Sequence, residues 1–276
     1  MKKILFFCAA LLCCLALPSC CGKKAPSFPE IKQDGKIAIV AHRGYWNCEE
    51  AGFAQNSIAS LKAAQDHGLW GSEFDIHLTK DGQVLVFHDN AINGTRFNDV
   101  DAAYWADYRL PNGEPIPTLD EYLTQGEKSD KTVLVCEIKS QFYPEQEPVL
   151  VAKTVEALKA HGLFHPDRVI FISFSWRICD IIAREYPEFS NQYLGGGLPP
   201  ARLAQDGING FDYERKEVWA KPEWIEEAHA LGMSTNVWTL NKEEHLKHAI
   251  ELGIDAITTN EPLLARSLLG EREFKR

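Results

Sequence analysis

The strongest constraint on this chain is a recurring order of element types. Between positions 37 and 265, short apolar runs alternate with amphipathic stretches of helical spacing. Strand-like runs fall at 37–41, 73–78, 84–87, 132–138, 168–174, 192–194, 208–213, 233–239 and 255–259. Helical patterns cover 57–67, 148–161, a stretch ending at 186, 222–231, 242–252 and a closing segment from 262. In the first of these Ile58, Leu61 and Ala64 share a face and Gly68 stops the helix. A strand that returns through a helix to the next strand builds a parallel sheet with helices outside, an α/β fold. The number of units favours a closed TIM (β/α)8 barrel over an open doubly wound sheet. Neither GxGxxG nor a P-loop supports a nucleotide fold, and Gly195-Gly196-Gly197 reads as a loop.

Nine strand candidates compete for the eight places of such a barrel. The surplus has a local origin. The runs at 73–78 and 84–87 are joined by Thr79-Lys80-Asp81-Gly82, a tight-turn sequence with no room for a helix. A parallel crossover is therefore excluded, and a hairpin is expected that brings His88 beside Asp75. The polar and aromatic stretch from about 90 to 131 is too long for a bare loop and reads as a small insertion over the barrel mouth. Thr118 and Glu121 have capping-box spacing, so a helix should begin there.

The first 36 residues read as a separate unit. Lys2 and Lys3 precede an apolar run from 4 to 17, too short to span a bilayer and suited to a signal-peptide core. The run ends in Leu17-Pro18-Ser19-Cys20, which resembles a bacterial lipoprotein cleavage site. That resemblance implies a signal peptide at 1–19, lipid attachment at Cys20 and a polar tether at 20–36. Cys21 is the competing anchor and a plain secretory signal the competing reading. The expected location is a bacterial envelope, periplasmic or at the cell surface, with membrane contact only through the anchor. Only Cys48, Cys136 and Cys179 remain in the body, too few and too scattered for a disulfide framework. The net charge of −10 argues against a general nucleic-acid partner. An acidic protein can still handle a phosphate if a cation reverses the field locally.

Four segments place polar chemistry at the ends of strand-like runs, where barrel enzymes keep their catalytic residues. The first is His42-Arg43-Gly44: an imidazole for proton transfer, a guanidinium fork suited to phosphate oxygens, and a glycine for a sharp turn. The second is Glu73-Phe74-Asp75, whose two carboxylates share one strand face. They repel unless something positive lies between them, either nearby arginines or a hard cation such as Mg²⁺ or Ca²⁺. The third is Phe87-His88-Asp89. The fourth is Glu137-Ile138-Lys139, a charged pair ending an apolar run, costly to bury unless used.

Taken in order, these segments resemble the glycerophosphodiester phosphodiesterase family. The matching pattern adds Gln55-Asn56-Ser57, Gly71-Ser72, Leu78-Thr79-Lys80-Asp81-Gly82, Ile116-Pro117-Thr118-Leu119, Ser173-Phe174 and Val237-Trp238-Thr239. The likeness spans 37–265 and implies a TIM barrel with a small insertion whose members need a divalent cation. Carried over residue by residue, it makes Glu73, Asp75 and Glu137 the metal ligands and His42 and His88 the acid–base pair. It makes Arg43 and Lys139 the phosphate contacts, with Trp238 either walling the substrate pocket or packing in the core. The implied substrate is a glycerophosphodiester. A phosphoinositide phospholipase C-like enzyme and a non-catalytic glycerol-phosphate-binding lipoprotein are the alternative readings. One departure stands out: the family usually has Pro-Glu-Asn-Thr where this chain has Ala54-Gln55-Asn56-Ser57.

Overall fold

A computed structural model describes residues 37–270. The expected signal and tether, Cys20 included, lie outside the described residues. The strands are β1 (Ala38–Ala41), β2 (Gly71–Leu78), β3 (Val84–Val86), β4 (Ala91–Ile92), β5 (Thr95–Arg96) and β6 (Val133–Ile138), followed by β7 (Val169–Ser173), β8 (Ser190–Tyr193), β9 (Gly210–Glu214), β10 (Ser234–Trp238) and β11 (Ala256–Thr259). The α-helices are α1 (Ile58–Asp66), α2 (Leu119–Gly126), α3 (Glu147–Ala160), α4 (Trp176–Glu185), α5 (Pro200–Gln205), α6 (Arg215–Ala220), α7 (Glu223–Ala230), α8 (Glu243–Leu252) and α9 (Pro262–Leu268).

Eight parallel strands close on themselves in the order β1-β2-β6-β7-β8-β9-β10-β11, and β1 pairs with both β2 and β11. This is the expected (β/α)8 barrel. Its strands bury both faces against different partners. Phe74 and Ile76 of β2 join the apolar layer under α2, α3 and α4. The alternate residues Glu73 and Asp75 are then directed to the barrel lumen. Val40, Val135, Ile170 and Ile172 fill part of that lumen below them.

The ninth strand candidate is β3, antiparallel to β2 and outside the barrel ring. Its turn forms as expected: Thr79 N–H donates to the Gln83 carbonyl at 2.9 Å, and Gly82 sits at φ +79°. The register pairs Ile76 with Val86, and the Phe87 N–H reaches the Asp75 carbonyl at 3.0 Å. Phe87 therefore stands opposite Asp75, and His88 follows by one residue.

The irregular segment is shorter than the 90–131 expected. The predicted capping box at Thr118 and Glu121 does start a helix, but α2 packs Leu119, Tyr122 and Leu123 into the layer around the barrel. It is the helix that carries the chain from β2 to its parallel neighbour β6. What remains is a β4–β5 hairpin and two 3₁₀ turns around Phe97, Trp105, Leu110 and Ile116. This small core packs on Ala54 of the β1–α1 loop, and the Glu114 carboxylate accepts from the Ile58 N–H at the start of α1. A negative charge there suits the positive end of that helix.

Two short helices, α5 and α6, were not expected from the pattern. Each has six residues, too few to show periodicity. Pro200 occupies the first turn of α5, and the Glu214 side chain accepts from the Lys216 N–H to begin α6.

Candidate active site

The parallel register explains why residues far apart in sequence share one level. Ala41 pairs with Ser72, which sets His42 level with Glu73. Asp75 pairs directly with Glu137. The three carboxylates thus meet at the carboxyl end of the barrel, and one ligand oxygen from each lies within 4.8 Å of the others. All three are buried.

Two cations lie against this cluster. The Lys139 ammonium is 2.7 Å from Glu137 Oε1 and 3.2 Å from Asp75 Oδ1. Arg43 Nε is 4.0 Å from Asp75 Oδ2. Asn56 grips Asp75 twice: its Nδ2 donates to Asp75 Oδ2 at 2.8 Å, and its Oδ1 accepts from the Asp75 N–H at 3.1 Å. Glu73 receives the Arg43 backbone N–H on Oε2 at 2.7 Å, but its buried Oε1 has no hydrogen-bond partner.

The ionisation pattern follows from these contacts. Burial, with Asp75 and Glu137 close by, pushes Glu73 well above the carboxylate range. Burial and then Asp75 push Glu137 up to about 8, against the pull of Lys139. Burial also opposes ionisation of Asp75, but Lys139, His88, the Asn56 hydrogen bond and Arg43 together hold it below its usual value. A buried fourth carboxyl, Asp212, is raised by burial and then by Glu137. Burial and mutual repulsion thus oppose ionisation of Glu73 and Glu137 beside an ionised Asp75.

The sharp turn at His42-Arg43-Gly44 places the histidine and arginine. Arg43 takes φ +56° and Gly44 φ +76°, and a Cβ on Gly44 would lie 2.3 Å from Ser60 Oγ. Only glycine fits there. His42 is half-buried, its N–H tied to the Thr259 carbonyl at 3.0 Å. Its Nδ1 is 2.8 Å from Asn260 Oδ1, which also accepts from Trp46 Nε1 at 3.1 Å. Burial first, and then Arg43, lower the His42 pKa to about 4. His88 is paired through Nδ1 with Asp89 Oδ1 at 2.6 Å, and burial is the main cause that lowers it.

A cleft of about 330 Å³ opens beside the cluster, lined by His88, Asp89, Asn90, Glu137, Lys139, Ser140 and Phe174. Trp238 meets Phe174 edge to face at 5.7 Å, and its Nε1 donates to the Asp212 carbonyl at 2.9 Å. It is half-buried, so it both packs over the lumen and reaches the cleft through Phe174. Gln55 Oε1 accepts from the Arg43 guanidinium at 2.6 Å. The neutral amide orients that side chain without cancelling its charge.

The expected site residues of the body, His42, Arg43, Glu73, Asp75, His88, Glu137, Lys139 and Trp238, lie at this end of the barrel. Three others were missed as site residues: Asn56, Asn260 and His77. Buried His77 stacks on Phe97 at 5.2 Å and brings Nε2 within 3.3 Å of the His88 carbonyl. The sequence carried a signal for Asn56, inside a recognised segment, but none for Asn260, which lies 218 positions from His42.

Residues 42–264 match the glycerophosphoryl diester phosphodiesterase family. The chain belongs to that family. It is therefore an enzyme of the phosphodiesterase class. A solved glycerophosphodiester phosphodiesterase from Parabacteroides distasonis is 37% identical, covers 85% of this chain and 97% of its own, and superimposes with a TM-score of 0.81. A relative named glycerophosphodiester phosphodiesterase in Caldanaerobacter subterraneus is 28% identical over 82% of this chain and 95% of its own length. An Oleispira antarctica phosphodiesterase, solved in complex with the product sn-glycerol-3-phosphate, shares the fold at 23% identity and a TM-score of 0.71, covering 85% of this chain and 97% of its own.

Proposed function

We propose that this family member hydrolyses glycerophosphodiesters to glycerol 3-phosphate and an alcohol, with a divalent cation at Glu73, Asp75 and Glu137 and with His42 and His88 as the acid–base pair. The observation that carries the reading is the charge deficit of the carboxylate cluster. Glu73 Oε1 is buried and unpaired among three carboxylates, an oxygen-only donor set that fits a hard cation, Mg²⁺ or Ca²⁺. When bound, such an ion would supply charge stabilisation to the phosphoryl oxygens.

The protein's own residues account for the rest. Arg43, oriented by its hydrogen bond to neutral Gln55, is available to the phosphoryl oxygens. Lys139 lines the cleft and offers a second positive charge. Phe174 and Trp238 form an aromatic wall for the alcohol portion and keep water from part of the cleft. One histidine accepts the proton of the attacking hydroxyl, and the other protonates the departing alcohol. The attacking group is either the glycerol 2-hydroxyl, by way of a cyclic phosphate, or water.

Choline release from glycerophosphocholine, measured with EDTA and after Mg²⁺ or Ca²⁺ add-back, tests the cation. Turnover should vanish on chelation and return on add-back; turnover untouched by EDTA would remove the metal from the mechanism. His42→Ala and His88→Ala should each cut turnover by about 100-fold or more with the fold intact. Near-normal turnover in either would sink the two-histidine reading. The leader pattern further supports lipid attachment at Cys20 and an envelope location. Labelled palmitate should enter the wild-type chain and not Cys20→Ser; equal labelling of both would reject that anchor.

A further inference from the structure

Asn260 is not part of any carboxylate or cation cluster, yet it meets the proposed catalytic His42 through a contact that fixes a proton. The amide oxygen and nitrogen of an asparagine are interchangeable in outline, and the neighbours decide which is which. Here the deciding neighbour is Trp46, whose indole N–H can only donate. Its Nε1 lies 3.1 Å from Asn260 Oδ1, so the oxygen must face it. The same oxygen lies 2.8 Å from His42 Nδ1. That nitrogen must then carry the hydrogen. A neutral imidazole has one N–H, so Nε2 is left with a lone pair. Among the described residues no protein atom hydrogen-bonds Nε2 of His42.

The surroundings keep this arrangement rigid. The Asn260 backbone N–H donates to Asn241 Oδ1 at 2.9 Å. Asn47, next to Trp46, donates from Nδ2 to Glu261 Oε1 at 2.6 Å. The loops after the first and last barrel strands are thus laced together on both sides of the amide. His88 is held differently: its Nδ1 faces the Asp89 carboxylate, an anion that favours the imidazolium against the burial that lowers it.

We propose that Asn260, oriented by Trp46, is a positioning residue that locks His42 in its Nδ1–H tautomer, so that Nε2 of His42 is the proton acceptor and His88 is the proton donor. The inference rests on the two-histidine reading above. The attacking hydroxyl gives its proton to His42 Nε2 as its oxygen bonds to phosphorus. The bond from phosphorus to the leaving alcohol breaks with its electron pair on the alcohol oxygen, which takes a proton from His88. Asn260 touches no reacting atom and acts only through His42.

The test combines kinetics with ¹⁵N NMR of the full chain labelled at histidine, the His42 signals being assigned by comparison with His42→Asn. Wild type should show a protonated Nδ1 and an unprotonated Nε2 at His42. Asn260→Leu should lose that signature and about 100-fold in kcat, with KM changed little. Trp46→Phe, which frees the amide to turn over, should mix the two tautomers and cost about tenfold. Asn260→Asp, which keeps an acceptor oxygen in place, should restore the Nδ1–H signature and most of kcat. Thermal melts of the three variants check folding, and the Asp variant separates lost positioning from lost packing. An Nε2–H signature in wild type, or Asn260→Leu with normal kcat, overturns the proposal. Normal turnover in His42→Ala would overturn the two-histidine reading and this inference's catalytic role together, whereas the tautomer signal reports on Asn260 without reference to turnover.

Discussion

Asn56 shows how much of this site depends on a residue with no charge and no proton to move. It occupies φ +54°, a left-handed position that asparagine tolerates better than most side chains. From there its amide meets both the carboxylate and the backbone N–H of Asp75. Asn56→Ala should therefore leave a buried N–H and a carboxylate oxygen without those partners and cost about 2 kcal/mol or more. Urea unfolding of the two chains checks this; equal midpoints would show that Asp75 does not depend on the clasp. Sequence reading reached Glu73, Asp75, Glu137 and both histidines because charged groups ending apolar runs are conspicuous. It had no comparable handle on Asn260 or on its contact with Trp46. Their importance lies in which atom faces which, and a neutral amide in a loop carries no sign of that.

At the scale of single elements, the loop after β1 is the most demanding. It holds His42 and Arg43 through a left-handed pair, Arg43-Gly44, pressed against α1. Gly94, in the β4–β5 hairpin, also has positive φ, at +83°, but a Cβ there would meet nothing within 4 Å. The two glycines separate conformational strain from crowding. Gly94→Ala should cost about 1 kcal/mol, the strain alone. Gly44→Ala adds a clash with Ser60, so it should cost about 3 kcal/mol or more and lower turnover through displaced His42. Equal losses in thermal unfolding would mean that the Ser60 contact relaxes freely. The hairpin of β2 and β3 was legible because its turn sequence allowed no helix. The end of the insertion was not, because α2 looks the same in sequence whether it belongs to an insertion or to the helix ring. Only its packing on the barrel, through Leu119, Tyr122 and Leu123, decides the matter.

At the scale of the whole molecule, the barrel concentrates like charge at one end of an already acidic chain, and this couples stability to pH and to cations. Glu137 is raised to about 8, and Glu73 and Asp212 are raised as well, with burial the largest cause for each. A carboxyl raised in the folded state stabilises the fold while it holds its proton, and that stability is lost as pH climbs through the folded value. His42 and His77, each lowered to about 4 chiefly by burial, act in the opposite sense. Their contribution is lost as pH falls from the ordinary histidine value toward about 4, so it is essentially complete above neutrality. Between roughly pH 7 and 8, below the range where the thiols of the unfolded chain ionise, the carboxylates are therefore left to set the slope. In EDTA the melting temperature should fall across that window. Saturating Mg²⁺ or Ca²⁺ should raise it and flatten the slope, because an ion bound only to the folded chain stabilises it in proportion to its occupancy and favours the ionised ligands. Superimposed curves, with and without the ion, would show that the cluster does not bind the cation. A flat curve in EDTA would show that Lys139 and Arg43 already satisfy the three carboxylates by themselves.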